Sequence, residues 1–279
     1  MMEATALFGE PQEHGLVYCS VFLQELAKQM PGNIAVVQTD GTVAENDSAM
    51  AAIPKIFYHA GHGNYNRFTV ECRTNYIDVE TGERIDDFKD KIVHLLSCET
   101  GMSLGPSLVK HGATAFLGYD EVFYYGVIEE TKPDPEPYTT PTNYCDYYSF
   151  IDCDVEVERQ FLIKGKSLKQ AVAVSQKKFD EYITKYSTGI WKDTYVAPYM
   201  VRFLRHDKIN QVTYGNINVT ATGEEVTAAE EEDYWDPLRW IITTFEEKRP
   251  PIPVAVLENL VSDTASNIIK YAPELKLRR

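Results

Sequence analysis

Two short apolar runs, each ending at a reactive side chain, most constrain the fold of this chain. They are "KIFYHAGHGN" (55–64) and "KIVHLLSCETG" (91–101), and each stops beside small residues. Continuous apolar runs of this length are typical of strands that are buried on both faces, as in parallel sheets covered by helices. His62 lies near the end of the first run, and Cys98 lies near the end of the second. Because sites in such sheets form at the carboxyl ends of the strands, we expect the two side chains to lie at one edge of the sheet.

The remaining patterns alternate between strands and helices, which predicts an α/β fold with a mostly parallel sheet and helices on both faces. Further strands are predicted at 33–41, 113–121 and 210–216, and a hairpin around a Thr-Gly turn at 67–85. Helices are predicted at 16–30, 102–112, 150–164 and 167–186, the last with Ser167 as N-cap. The stretch "YVAPYMVRFLRHD" reads as a further helix or a strand–helix piece.

Two segments depart from this alternation. Prolines interspersed with acidic residues and threonines at 127–146 exclude a helix or a central strand, so we predict a long, exposed and mobile loop. Near residue 221 the composition shifts to an acidic run followed by a Pro-rich stretch. We therefore predict one domain over residues 1–220, which contains the loop, and a mainly helical C-terminal extension over 221–279.

Charge and composition exclude several classes of function. The chain carries 42 acidic and 27 basic residues, a formal charge of −15, which argues against a nucleic-acid partner held by phosphate contacts. No apolar stretch is long enough for a membrane span, and the N-terminus does not read as a secretory signal. The five cysteines are scattered, which favours a reduced, cytoplasmic setting over a disulfide framework. Isolated cysteines and histidines also predict no zinc or other metal site, and no cofactor-binding motif is present.

A thiol and an imidazole at one sheet edge could support nucleophilic catalysis. Histidine is the usual base that converts a cysteine to its thiolate, and the predicted helix start near residue 102 would favour a negative sulfur. Gly61, Gly63 and Gly101 lie beside the pair and would let a substrate approach the backbone. The alternative is that Cys98 is a small buried apolar residue and His62 an ordinary loop residue.

At this point the chain resembles a family. The series "YHAGHGN", "LLSCETG" and "LGPSLVKHGATAFLGY" is similar to the caspase-like (clan CD) cysteine peptidases, most closely the gingipain and CHAT branches of bacteria. In that family one strand ends in a His-Gly pair and the next ends in the nucleophilic cysteine. The resemblance covers residues 33–120 and continues weakly to about 216.

The resemblance implies a role for each matching residue. His62 takes the position of the catalytic histidine and Cys98 that of the nucleophile, while His59 is expected to be structural. The backbone N–H groups of Gly63 and Cys98 take the positions that bind the oxyanion. The caspase consensus "QAC-G" is absent, since this chain has "LSCETG". The arginine-lined pocket of caspases therefore cannot be carried over.

Specificity is predicted from charge. An acidic pocket would select arginine or lysine at the residue before the cut, as in several relatives. The candidate acids follow predicted strand 113–121 or the Pro-rich loop; they are Asp120, Glu121, Asp152 and Asp154. Each could equally be a solvated loop or helix-start residue.

We therefore expect a cytoplasmic cysteine endopeptidase that cleaves proteins after basic residues through Cys98 and His62. The resemblance further suggests a zymogen, activated by cleavage or by a regulatory partner, in a bacterial defence or stress pathway. One alternative is a catalytically silent caspase-like scaffold or binding module. A flavodoxin-like hydrolase or nucleotide binder is another.

Overall fold

The computed structural model describes residues 4–9, 17–71, 73–124, 146–194 and 196–224. Nine strands and six α-helices lie within these ranges, together with a short 3-10 helix and a π-helical turn. The strands are β1 (Ala4–Gly9), β2 (Ile34–Thr39), β3 (Ile56–Ala60), β4 (His62–Asn64), β5 (Arg67–Val70), β6 (Thr74–Asp78), β7 (Ile92–Leu96), β8 (Ala115–Tyr119) and β9 (Gln211–Gly215). The helices are α1 (Val17–Lys28), α2 (Val43–Met50), α3 (Leu104–Lys110), α4 (Asp146–Glu158), α5 (Leu168–Ser187) and α6 (Ala197–Asn210), with the 3-10 helix at Ile85–Phe88 and the π-helical turn at Arg159–Ile163.

Six strands form the main sheet, in the order β2-β1-β3-β7-β8-β9. All neighbouring pairs are parallel except β8 and β9, which are antiparallel. Every residue of β3, β7 and β8 is buried, which explains why these strands read as continuous apolar runs. The predicted mostly parallel sheet is confirmed, and the strands that precede His62 and Cys98 are neighbours at its centre.

Helices cover both faces of this sheet, as predicted. Side chains alternate between the faces along each strand, so that Tyr58 packs on one face and its neighbour Phe57 on the other. Helices α1, α4, α5 and α6 pack on the face of Tyr58. Helices α2 and α3 and the strands β5 and β6 pack on the face of Phe57. No helix of the described ranges is long and apolar enough to cross a membrane.

The structure contains an antiparallel hairpin within 67–85, as predicted, but the connection between its strands precedes the predicted Thr-Gly turn. Strands β4, β5 and β6 form a separate three-stranded antiparallel sheet, in which β5 ends at Val70 and β6 begins at its partner Thr74, before the Thr-Gly pair. Asp78 ends β6 because its carboxylate accepts the N–H groups of Glu80 and Thr81 and pairs with Arg67. The Thr-Gly pair therefore makes a second, later turn.

Strand β1, helix α2 and the 3-10 helix were not predicted, and other boundaries shift. Strand β1 has six residues, as has its neighbour β2. Half of the residues of α2 are polar, and the hydroxyl of Thr42 caps this helix by accepting the N–H of Glu45. Helix α4 begins at residue 146, before the predicted 150, and "YVAPYMVRFLRHD" forms most of α6. Ser167 is the N-cap of α5, as predicted, and the side chain of Gln170 bonds back to its N–H.

The Pro-rich loop and most of the C-terminal extension lie outside the described residues. Of the loop 127–146, only Asp146 at the start of α4 is described, and of the extension 221–279, only residues 221–224. The boundary between domain and extension therefore stays a prediction.

A buried charged cluster joins β7 to α4 across the sheet face. His94 contacts Asp154 through Nε2 (3.1 Å) and Glu158 through Nδ1 (2.5 Å). The hydroxyls of Tyr58 and Tyr119 each donate to Asp154 at 2.7 Å, and the ring of Tyr58 stacks on His94. Burial favours the neutral imidazole, but the two carboxylates outweigh it and raise the pKa of His94 to about 10. A charged imidazole therefore holds α4 to the centre of the sheet.

We predict that His94→Gln lowers the free energy of unfolding by about 3–5 kcal/mol, because it leaves two buried carboxylates without their charged partner. The stabilisation from His94 is complete below the usual histidine pKa of 6.5 and is lost as the pH rises towards about 10. Urea unfolding of both proteins should therefore show the largest difference near pH 6 and a smaller one at pH 9.5.

His111→Gln is the matched control, because His111 is an exposed histidine that also pairs with a carboxylate, that of Asp86. Its loss should change stability by less than about 1 kcal/mol. Equal effects of the two substitutions, or a His94 effect that grows with pH, would contradict a charged buried imidazole.

Candidate active site

His62 lies where the chain passes from strand β3 of the main sheet to strand β4 of the three-stranded sheet; we call this bend, residues 61–63, the corner. Strand β3 ends at Ala60, and His62 opens β4 as a half-exposed residue. The corner is tied to β7, because the N–H of Gly61 donates to the carbonyl of Leu96 (3.2 Å). A β-carbon at residue 61 would lie 2.6 Å from the carbonyl oxygen of Thr69, so only glycine fits the corner.

Cys98 lies in a tight turn that follows β7. The side chains of Ser97 and Thr100 hydrogen-bond across the turn at 3.0 Å. Glu99 adopts a left-handed conformation with φ 58°, and its N–H donates to the carbonyl of Glu121. The N–H of Gly101 donates to the carbonyl of Tyr119 at 2.7 Å. Backbone bonds thus fix the turn to the end of β8. The Cys98 thiol forms no disulfide and is half-buried.

The two segments meet at Gly63. A β-carbon at Gly63 would lie 2.6 Å from the carbonyl oxygen of Cys98 and 2.6 Å from Cγ2 of Thr100. The residue that follows His62 therefore packs directly on the backbone of the candidate nucleophile, with nothing between them. The structure brings the His62–Gly63 corner and the Cys98 turn together at the carboxyl edge of the sheet, where the sequence pattern had predicted them.

The thiol of Cys98 is held in its neutral form. Burial raises its pKa, hydrogen bonds from the backbone N–H groups of Phe123 and of Cys98 itself lower it, and the charges of Glu99 and Asp207 raise it further. The net result is a raised pKa, which differs from the expectation that a helix start would favour the thiolate. Helix α3 begins only at Leu104 and has seven residues.

A scan of the chain against protein-family models and a search of curated proteins each found no match. The architecture is a mostly parallel mixed sheet with flanking helices. It is compatible with a caspase-like fold.

His59, the other histidine of this segment, has a structural environment. It is fully buried in β3, where Nδ1 donates to the carbonyl of Ala60 and Nε2 accepts from the amide of Asn46. Asn46 in turn accepts from the hydroxyl of Thr39. Burial lowers the pKa of His59 to about 4, so the ring is neutral and links β3 to α2 and β2.

The four acids predicted for a specificity pocket lie in different surroundings. Asp154 belongs to the His94 cluster, and Asp152 pairs with Arg159 and Lys178 and accepts from the hydroxyl of Tyr182. Asp120 and Glu121 follow β8 at the edge where Cys98 lies; Asp120 is half-buried and Glu121 is exposed. The role of each acid stays a prediction, although the two on α4 already have charged partners.

Sequence reasoning missed a fifth acid, Asp207 of α6. It is fully buried, its Oδ1 accepts the N–H of Tyr124 (2.9 Å), and its Oδ2 has no hydrogen-bond partner among the described residues. The signal was present, because Asp207 continues the buried series Ala197, Met200 and Leu204 on one face of the helix.

One group of potential metal ligands is found in the described part of the chain: His94, Asp154 and Glu158. The two ring nitrogens of His94 already bond to different carboxylates. The cluster is therefore described as a buried ion triad, in which Oε2 of Glu158 has no hydrogen-bond partner among the described residues and burial raises the pKa of Glu158. We assign it no metal.

We predict that Gly63→Ala destabilises the protein by about 1–3 kcal/mol, because the new methyl group must push the Cys98 turn away from β4. Urea unfolding measures the change. Gly32→Ala is the control, since its β-carbon would have nothing within 4 Å. Equal stability of the two variants would show that the corner and the turn are not in contact.

Proposed function

We propose that this chain is a cysteine endopeptidase of the caspase-like group, in which Cys98 is the nucleophile and His62 transfers protons. The observation that carries the proposal is the contact of Gly63 with the carbonyl of Cys98, which places a histidine-glycine corner beside the only half-exposed thiol of the described side chains. The other described thiol, Cys153, is buried in the core.

The proposed reaction follows the general scheme of acyl transfer. The sulfur of Cys98 attacks the carbonyl carbon of the peptide bond while its proton passes to His62. The N–H groups of Gly63 and Cys98 are proposed to bind the oxyanion of the tetrahedral intermediate. His62 then protonates the leaving amine and, after release of the first product, takes a proton from the water that hydrolyses the thioester.

The environment of the thiol supports a zymogen. The raised pKa of Cys98 disfavours the thiolate, and the hydrogen bond from Phe123 occupies the sulfur. Activation requires a change of this environment, which we attribute to cleavage or to a regulatory partner. The same observation favours the second candidate function, a catalytically silent scaffold with the same fold.

The proposed substrates are proteins cleaved after arginine or lysine, in keeping with the acidic residues near the edge of the sheet. The resemblance to bacterial caspase-like proteins suggests a cytoplasmic role in defence or stress. Neither a nucleic acid nor a membrane is proposed as a partner.

The test is cleavage of a diverse peptide library, followed by mass spectrometry, with the wild-type chain and with Cys98→Ala. We expect cuts after arginine and lysine that disappear in Cys98→Ala and fall by at least about 100-fold in His62→Ala. Cys153→Ala is the matched control, because it removes a buried thiol and should keep the cuts.

Cuts that persist in Cys98→Ala would refute the nucleophile. Cuts after other residues would keep the dyad and refute basic specificity. No cuts by any variant, including after limited proteolysis of the wild type, would favour the silent scaffold.

A further inference from the structure

Exposed apolar side chains are concentrated around the turn of Cys98. The large apolar side chains that are exposed in the described ranges are Ile53, Tyr65, Met102, Val122, Tyr124, Ile190, Tyr199 and Ile209. Half of them follow His62, Cys98 or the end of β8 within a few residues; these are Tyr65, Met102, Val122 and Tyr124. Single apolar residues scattered over a surface need no explanation, whereas a group at one edge indicates a binding surface.

These side chains lie on both sides of Cys98. Strand β7, which ends at Leu96 just before Cys98, lies between β3 and β8 in the main sheet. Val122 and Tyr124 follow β8, whereas Tyr65 follows β3 through the short strand β4. A peptide that crosses Cys98 from the side of β8 to the side of β3 therefore approaches Tyr65 last.

Met102 lies on the same side as Tyr65. Gly63 packs against Thr100, and the N–H of Leu104 donates to the carbonyl of Tyr65 at 2.9 Å. Strand β4 and the segment that precedes α3 thus run side by side, with Met102 midway along that segment. The side chains of Tyr65 and Met102, which we call the apolar pair, are 51% and 56% exposed.

The backbone that presents Tyr65 is held by bonds of its neighbours. The side-chain oxygen of Asn64 accepts the N–H groups of Asn66 and Arg67 at 3.0 and 2.9 Å. The guanidinium of Arg67 pairs with the buried carboxylate of Asp78 at 2.7 Å. The turn is therefore ordered before anything binds, so that burial of the tyrosine ring by a ligand costs little conformational entropy.

The proposed reaction determines which part of a substrate lies on this side. His62 protonates the leaving amine, so this amine must come within hydrogen-bond reach of the imidazole. The residue after the cut therefore lies on the His62 side of the sulfur. Tyr65 follows His62 by three residues of extended chain, about 10 Å, which an extended peptide also spans in about three residues.

We propose that the apolar pair, Tyr65 and Met102, binds a large apolar side chain within the first three residues after the cut, an inference that rests on the proposed peptidase function. The side chain is buried between an aromatic ring and a flexible thioether, and water leaves both surfaces. The pair selects leucine, methionine or phenylalanine over small polar residues in this stretch of the substrate. This selection is independent of the residue before the cut.

A peptide library that is constant up to the cut and varied at the three residues after it tests the assignment. The wild-type chain should cleave peptides with a large apolar residue in this stretch at least about 10-fold faster, in kcat/KM, than peptides with serine there. The double variant Tyr65→Ser, Met102→Ser should lose this preference, and Tyr65→Phe should keep it. Tyr199→Ser is the matched control, because Tyr199 is 55% exposed on α6 and should leave the preference unchanged.

A preference that persists in the double variant, or that is lost equally in Tyr199→Ser, would overturn the assignment. So would a wild-type chain that cleaves peptides with serine and with leucine after the cut at equal rates.

Binding separates this inference from the proposed function. Peptides with leucine or with serine in the stretch after the cut are titrated into Cys98→Ala, with and without the two serine substitutions. Tighter binding of the leucine peptide that depends on the apolar pair would support the assignment even if the wild type cleaves nothing. Equal binding of the two peptides would overturn it even if the wild type is a peptidase.

Discussion

The contact between Gly63 and the carbonyl of Cys98 is the constraint on which the candidate site depends. It has a simple origin, since β3 and β7 are neighbouring parallel strands and both end at the same edge of the sheet. The chain leaves each strand through small or tightly turned residues, so that two backbones approach closely enough to exclude a β-carbon. A histidine and a thiol are thus brought to one place by main-chain packing, before any interaction of their own side chains.

The edge is held in place by the two layers that cover the sheet. On one face the buried ion triad of His94 fixes α4 to β7, and on the other α3 and the small sheet pack beneath the turn of Cys98. Helix α6 lies on the same face as α4, and its carbonyl and carboxylate oxygens accept backbone N–H groups of the segment after β8. The same segment reaches the sulfur, so the state of the thiol depends on how α6 holds it.

Much of this could be read from the sequence, for physical reasons that differ between elements. Strands β3, β7 and β8 were predictable because full burial demands continuous apolar runs, and α5 because Ser167 caps it. Strand β1 and helix α2 were missed because neither ATALFG nor VAENDSAM shows a strong period. The hairpin turn was misplaced because the side chain of Asp78, and not the Thr-Gly pair, ends β6.

The candidate site also has features that the sequence predicts and features that it does not. The meeting of the two strand ends follows from the topology, whereas the raised pKa of Cys98 and the isolation of Asp207 depend on tertiary contacts that no local pattern encodes.

The central claim is that His62 activates Cys98. Peptide mapping by mass spectrometry of the residue labelled by a peptidyl-arginine acyloxymethyl ketone, in the wild type and in His62→Gln, tests it most directly. The account predicts labelling of Cys98 that is at least about 100-fold slower in His62→Gln; equal rates, or a label on another cysteine, would contradict it.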